Sequence, residues 1–271
     1  MPNLRKQLNT FDKSLVCPGH HCFDIARQGY VNLLTVQQKH SLHPGDTREQ
    51  VLSRRAFLEA GYYAPIAEAL IAVAKELMVN SNEIRPSGEL LDVGCGEGYY
   101  SARLAGALGM RLTGMDISRE AVRCAAGKYK NGLWLCATAS HIPVADHSCR
   151  LLTSLFALTM AEEFKRVLRP EDTFSGSGGG RPSAWTEIHH LRPSYRKPKD
   201  TVPDVPGFTL VKSVPIRFTF TVEGEQVENL LSMTPHVFRI GKDGAQRLRE
   251  TRSLTDTASC VLNVFRPVGN L

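Results

Sequence analysis

Three glycines at alternate positions constrain the fold of this 271-residue chain more than any other feature. Gly94, Gly96 and Gly98 follow a short apolar run at 90–93, which predicts a strand, and precede a helix predicted over 99–108. Glycine permits a tight turn, and its missing Cβ lets a ligand lie against the backbone. In a doubly wound sheet, ligands bind at the carboxyl ends of the strands. The loop therefore predicts a ligand site at that edge.

The segments that follow alternate between strand and helix patterns. Strands are predicted at 90–93, 112–117, 133–137 and 151–156, with helices at 99–108, 119–129 and 160–168 between and after them. This order predicts an α/β fold with a parallel, doubly wound, Rossmann-like sheet and right-handed crossovers. Two helices are predicted within 48–78, and further strands at 208–214, 216–222 and 260–265 accompany a helix at 226–233. The glycine- and serine-rich segment 172–184 has the composition of a loop, so no fifth parallel strand is predicted there.

The spacing of the glycines indicates which ligand the loop binds. A dinucleotide loop is written G-x-G-x-x-G, whereas this one reads G-x-G-x-G with Asp92 before it. That form is typical of class I methyltransferases, which use S-adenosyl-L-methionine. Asp116 ends the second predicted strand, where its carboxylate could accept hydrogen bonds from both ribose hydroxyls. The alternative is that Asp116 only begins the turn before Ser118. On the first interpretation, Asp92, Gly94, Gly96, Gly98 and Asp116 bind the cofactor.

Composition and charge restrict the class of protein. No apolar run reaches the roughly 18 residues of a membrane helix, and the first residues do not resemble a signal peptide. Seven scattered cysteines, an odd number, argue against a disulfide framework, so a cytoplasmic protein without a membrane partner is expected. Residues 1–55 hold eight Lys and Arg against four Asp and Glu, a net charge of +4 out of +6 for the chain. This basic start suggests a polyanion such as nucleic acid, although a solvated surface would have the same charge.

Several strings resemble the bacterial 23S rRNA (guanine-N1)-methyltransferase family. The resemblance is continuous from about Cys17 to Asp146 and weaker over 160–170 and 207–238. The strings that carry it are Gly29-Tyr30-Val31-Asn32-Leu33-Leu34, Pro44-Gly45-Asp46, Arg54-Arg55-Ala56-Phe57-Leu58 and Gly61-Tyr62-Tyr63, with Asp92 to Tyr100. It implies methylation at N1 of one guanine in a 23S rRNA hairpin loop, usually by a homodimer. It also implies that Tyr63, Gly96 and Glu97 contact the cofactor; no residue is singled out as the catalytic base.

The resemblance also implies a small amino-terminal zinc-ribbon-like module. Cys17 and His21 match the second pair of the family's four zinc ligands. The first pair is replaced by Met1 and Leu4, and His20 and Cys22 are the nearest substitutes. A bound zinc ion is therefore one of two expectations, and a degenerate module is the other. Further departures are Arg150 before the fourth strand and Phe156-Ala157-Leu158 after it.

Three regions are predicted from these patterns. Residues 1–45 form the RNA-binding module, 46–80 a helical linker and 81–271 the S-adenosylmethionine-dependent methyltransferase domain. Two other functions stay open. One is a catalytically impaired paralogue that still binds RNA or the ribosome, which the departures favour. The other is a small-molecule methyltransferase, against which the basic amino-terminal region argues.

Overall fold

The computed structural model describes residues 8–19, 21–35, 44–79, 88–176, 183–184, 204–233 and 250–268. The strands are β1 (Asn9–Phe11), β2 (Ser14–Val16), β3 (Cys22–Asp24), β4 (Tyr30–Asn32), β5 (Glu89–Val93), β6 (Arg111–Asp116), β7 (Gly132–Cys136), β8 (Cys149–Ser154), β9 (Leu168–Gly176), β10 (Ser183–Ala184), β11 (Phe208–Glu223) and β12 (Ser253–Pro267). The helices are α1 (Arg48–Glu59), α2 (Ala64–Val79), α3 (Tyr99–Leu108), α4 (Arg119–Lys128), α5 (Ala161–Val167) and α6 (Glu225–Ser232).

One large sheet organises the chain. Its order is β10-β12-β9-β8-β5-β6-β7-β4, with β11 also paired to β12. The strands from β4 to β9 pair in parallel, and β12 is antiparallel to β9, β10 and β11. The predicted doubly wound, Rossmann-like fold is confirmed. The glycine loop follows β5, the strand beside which the chain order reverses, which is where such sheets bind ligands.

Helices cover both faces of the sheet. One buried cluster packs side chains of α1, α2, α3, α4 and α6 against the sheet, and a second packs α5 against the other face. Local signals set the helix starts. Thr47 and Gln50 form a reciprocal capping box at α1, and the Ser118 hydroxyl accepts from the Ala121 N–H at α4.

A fifth parallel strand is present, which corrects the expectation of a loop over 172–184. β9 runs through Leu168–Gly176 and pairs in parallel with β8. The strand therefore begins directly after α5 and extends into the start of the glycine- and serine-rich segment. β9 pairs with β8 on one side and with β12 on the other, and these two strands supply its backbone hydrogen bonds. Composition alone does not reveal such partners. Residues 177–182 lie outside the described residues.

The amino-terminal region contributes to two sheets. β1, β2 and β3 form a small antiparallel sheet, whereas β4 pairs in parallel with β7 at the edge of the large sheet. Tyr30 and Val31 of β4 are buried there. β4 thus anchors the amino-terminal region to the large sheet. The boundaries 1–45, 46–80 and 81–271 stay predictions.

A two-stranded ribbon continues past the carboxyl ends of the parallel strands. Asn263 of β12 lies opposite Gly176, the last residue of β9, and the earlier part of β12 runs on beside β11 to Ser253. α6 lies next to this end of the ribbon and packs on α1. We name α6 with residues 216–223 and 253–260 the cap. Phe218 and Phe220 of the cap contact the aromatic rings of α1 and its following turn.

In the described ranges no single helix is long and apolar enough to cross a membrane. Together α1 and α2 reach that length and composition, but they are bent by 75°. Both belong to the buried cluster on one face of the sheet.

Replacement of Gly114 by alanine should destabilise the fold. A Cβ on Gly114 in β6 would lie 2.6 Å from Cε3 of Trp134, which is 1% exposed. We expect a loss of about 1–3 kcal/mol of unfolding free energy by urea denaturation, as for other overpacked cores. Gly106→Ala in α3, where no atom lies within 4 Å of the added Cβ, is the matched control and should be neutral or stabilising. Equal losses in both variants would contradict this packing.

Candidate active site

The glycine loop lies against the end of β6. The N–H groups of Gly94 and Cys95 donate to the Met115 carbonyl at 2.8 and 3.0 Å, and the Gly96 N–H donates to Asp116 Oδ2 at 2.9 Å. Gly94, Gly96 and Gly98 have φ values of +83°, +56° and +83°, in the left-handed region that favours glycine. A Cβ on Gly96 would meet no atom within 4 Å. The structure thus brings the loop and Asp116 together around open space at the backbone of Gly96.

Asp116 is held in place by backbone groups on both sides. Its Oδ1 accepts from the Ser118 N–H at 2.8 Å while Oδ2 accepts from Gly96. Burial raises the pKa of Asp116, and these two backbone hydrogen bonds oppose the rise. Each carboxylate oxygen has a second lone pair, so Asp116 retains the capacity to accept hydrogen bonds from ligand hydroxyls.

Asp92 braces the loop from below. This 2% exposed carboxylate accepts from Thr153 Oγ1 of β8 at 2.7 Å and from Ser101 Oγ of α3. Burial raises the pKa of Asp92 to about 6, and the two hydroxyls oppose the rise. Asp92 therefore joins β5, β8 and the first helix after the loop. Direct contact between Asp92 and a cofactor stays a prediction.

Glu97 is a buried acidic residue near Arg54, and Arg54 was not among the site residues predicted from the sequence. Glu97 is 5% exposed, and burial raises its pKa to about 7, while the positive charge of Arg54 opposes the rise. Asp116 and Asp46 add negative charge nearby and raise it further. The site therefore has three carboxyl groups close to one guanidinium, a charge balance that suits a cationic ligand.

Arg54 links three parts of the chain at this site. Its guanidinium forms an ion pair with Asp46 and donates to the Met233 carbonyl at the end of α6, at 3.2 Å. The carbonyl of Asp46 accepts from Ser118 Oγ at 2.8 Å, and Gly45 lies so close to Ser118 that a Cβ there would clash. Asp46 and Arg54 both belong to strings of the family resemblance. Spacing alone could not have shown that they meet beside Glu97.

Tyr63 lies in an aromatic cluster beneath the cap. It is 2% exposed, with ring centroids 4.9 Å from Phe57, 5.6 Å from Phe220 and 6.1 Å from Phe218. Burial raises the pKa of the Tyr63 phenol above its ordinary value, so the hydroxyl stays neutral. The structure places Tyr63 between α1 and the cap. Its contact with a cofactor stays a prediction.

The two predicted zinc ligands are adjacent but do not complete a metal site. Cys17 Sγ lies 3.2 Å from His21 Nδ1 and accepts from the Gly19 N–H at 3.3 Å. Cys22 is exposed on β3. Among the residues that the structure describes, no three His, Cys, Asp or Glu side chains form a group that could hold a metal ion. A structural zinc ion needs four ligands, so the donors present do not fit one; Met1, Leu4 and His20 lie outside the described residues.

Two family models match separate parts of the chain. Residues 2–42 match the zinc-ribbon family model described as RlmA, N-terminal, and residues 91–174 match the model described as Methyltransferase domain. A 23S rRNA (guanine(748)-N(1))-methyltransferase of Streptomyces fradiae is 33% identical over 182 residues, which cover 64% of this chain and 60% of that protein. The chain is a homologue of the 23S rRNA (guanine-N1)-methyltransferases.

Two further relatives extend the comparison. A Micromonospora griseorubida protein named as a candidate 23S rRNA (guanine-N(1)-)-methyltransferase is 37% identical over 171 residues, 59% of this chain and 56% of that one. A Bacillus subtilis protein named in the same way is 27% identical over 257 residues, 89% of this chain and 86% of that one. The chain thus spans less than two thirds of the length of the two relatives at 33 and 37% identity.

A solved structure shows the same fold. A candidate type II methyltransferase of Anaeromyxobacter dehalogenans has a TM-score of 0.52 and 18% sequence identity, and the match covers 74% of this chain and 97% of that one. The predicted class of fold, that of S-adenosyl-L-methionine-dependent methyltransferases, is confirmed, and the amino-terminal family match confirms the zinc-ribbon-like module.

The charge of Glu97 should make the ligand-free fold sensitive to pH. The folded-state pKa of about 7 lies above the ordinary value of 4.5, so Glu97 contributes stability below pH 4.5 that is lost as pH rises through 7. Glu97→Gln should remove about 2 kcal/mol of the fall in unfolding free energy between pH 5 and pH 8. Urea denaturation across that range measures it. Glu76→Gln, at an exposed ion pair with Lys212, is the control and should follow the wild type. Parallel profiles for wild type and Glu97→Gln would refute the assigned burial.

Proposed function

We propose that this protein transfers a methyl group from S-adenosyl-L-methionine to N1 of a guanine in a hairpin loop of 23S rRNA. The observation that carries the proposal is the hydrogen bond between the Gly96 N–H and Asp116, which sets a carboxylate beside an open glycine backbone. Similarity to enzymes named for this reaction supports the choice of substrate. A homodimer and a cytoplasmic location belong to the same proposal: the homodimer rests on the family resemblance, and the location rests on the odd number of scattered cysteines.

The chain's own groups would bind and orient the cofactor. Asp116 would accept hydrogen bonds from the ribose hydroxyls, and the bare backbone of Gly96 would allow the ligand to approach closely. Asp92 would act indirectly, because its hydrogen bonds to Ser101 and Thr153 hold the loop in its conformation. Glu97 would contribute negative charge facing a positively charged ligand. When bound, S-adenosyl-L-methionine supplies an already activated methyl group, so catalysis is mainly a matter of alignment.

The RNA would meet a positively charged protein. The net charge is +6, and +4 of it belongs to residues 1–55. Arg119, next to that region, donates from Nε to the Tyr30 hydroxyl at 3.0 Å, which ties β4 to the start of α4. Contacts between RNA phosphates and the basic residues of this region would make RNA affinity fall steeply as the salt concentration rises. Zinc has no part in the proposed reaction.

A catalytically impaired RNA-binding paralogue is the second candidate. The incomplete set of metal ligands within the described part of the amino-terminal region favours it. The presence of β9 removes one reason for it, since the fifth strand is formed.

Methyl transfer to RNA tests the proposal. Purified protein with methyl-labelled cofactor should label a 23S rRNA hairpin from cells that lack the modification, and primer extension should stop at one guanine. Asp116→Ala should weaken cofactor binding by about 10-fold or more in calorimetry, because hydrogen bonds to a charged acceptor are lost. Glu76→Ala, at an exposed ion pair, should bind as the wild type does.

The outcomes separate the candidates. Cofactor binding without transfer to any rRNA would support the impaired paralogue and defeat the proposed activity. Transfer only to small molecules, together with RNA binding that does not depend on salt, would favour a small-molecule methyltransferase. Absence of cofactor binding would defeat the site itself.

A further inference from the structure

Phe156 has a backbone conformation that its side chain disfavours. Its φ is +59°, in the left-handed region, where glycine and asparagine are found far more often than aromatic residues. A residue held in this way is strained, and such residues cluster at functional sites. The residue is 36% exposed, so burial does not account fully for the choice of phenylalanine. The strained backbone at Phe156 therefore indicates a functional role for its aromatic ring.

The position of Phe156 places that ring beside the glycine loop. It follows β8 by two residues, at the carboxyl end of the strand next to β5. Its neighbour Ala157 lies directly against Gly94, since a Cβ on Gly94 would clash with the Ala157 Cβ. The aromatic ring is therefore at the edge of the proposed cofactor site, on the side of β8.

Two further features surround the ring of Phe156. The Tyr100 ring lies 6.1 Å away, and its buried hydroxyl has no hydrogen-bond partner in the described part of the chain. A buried hydroxyl left unpaired destabilises the free protein. Burial raises the pKa of Tyr100 well above its ordinary value, so the hydroxyl is a neutral group that can donate or accept. Phe156 also lines an apolar pocket between α2, the end of β8 and the cap, together with Ile66, Leu70, Leu155, Ile216, Cys260 and Leu262.

We propose that the target guanine stacks on Phe156 and that the Tyr100 hydroxyl hydrogen-bonds to the edge of that base. This inference rests on the proposed function and names the protein surface that receives the base. A base removed from its RNA stack loses contacts that an aromatic side chain replaces. The ring is half-exposed, as a stacking platform must be, and it adjoins the loop that would hold the methyl donor.

Variants at position 156 separate stacking from packing. Phe156→Leu keeps an apolar side chain without the ring, and Phe156→Tyr keeps the ring. Phe156→Leu should raise KM for the rRNA hairpin or lower kcat, with a loss of about 10-fold or more in kcat/KM, as for other base-stacking residues. Phe156→Tyr should restore most of it, and the calorimetric Kd for S-adenosyl-L-methionine should change little in either. Tyr100→Phe should lose activity and keep its stability.

Phe156→Gly separates the role of the ring from the cost of the strained backbone. Glycine suits a φ of +59°, so this variant should be at least as stable as Phe156→Ala and yet as inactive. His147→Gly is the matched control, because His147 also has a positive φ, +52°, at the opposite end of β8; its kcat/KM for RNA should stay close to that of the wild type.

Two results would overturn the inference. If Phe156→Leu methylated the hairpin as efficiently as the wild type, this result would show that no base stacks on Phe156. Equal losses in Phe156→Leu and Phe156→Tyr would show that the ring has a packing role. Failure of the wild type to methylate any rRNA would instead defeat the proposed function.

Discussion

The hydrogen bond from the Gly96 N–H to the Asp116 carboxylate is the interaction on which the candidate site depends. It joins the loop after β5 to the end of β6, two neighbouring parallel strands whose carboxyl ends meet at one edge. Asp92 supports the loop from below, because it accepts hydrogen bonds from α3 and β8. A flexible glycine loop is thereby given one conformation, and preorganisation of this kind reduces the entropy lost on binding.

A second layer closes over this edge. Arg54 contacts the segment before its own helix through Asp46 and the end of α6 through the Met233 carbonyl. The same guanidinium balances part of the negative charge of Glu97 and Asp116. One partly buried arginine thus connects the cap, the connection from the amino-terminal region and the glycine loop. The charge balance of the site and the position of the cap therefore both involve Arg54.

The sequence predicts the parallel part of the fold well, because each strand and helix there carries its own periodic pattern and its own caps. Ser118 and the glycine loop are examples of such local signals. Three features depended on long-range pairing instead. β9 extends into a segment with loop-like composition, and β4 joins the large sheet through only three residues. The positive charge of Arg54 acts on Glu97, although the two residues are far apart in the sequence. Local propensity contains no information on such partners.

A crystal structure of the protein with S-adenosylhomocysteine, the demethylated cofactor, tests the central claim most directly. The ribose oxygens should lie within hydrogen-bonding distance of the Asp116 carboxylate, with the ligand against the backbone of Gly96. A ligand bound in full elsewhere, with Asp116 bonded only to Gly96 and Ser118 as in the free protein, would contradict the account.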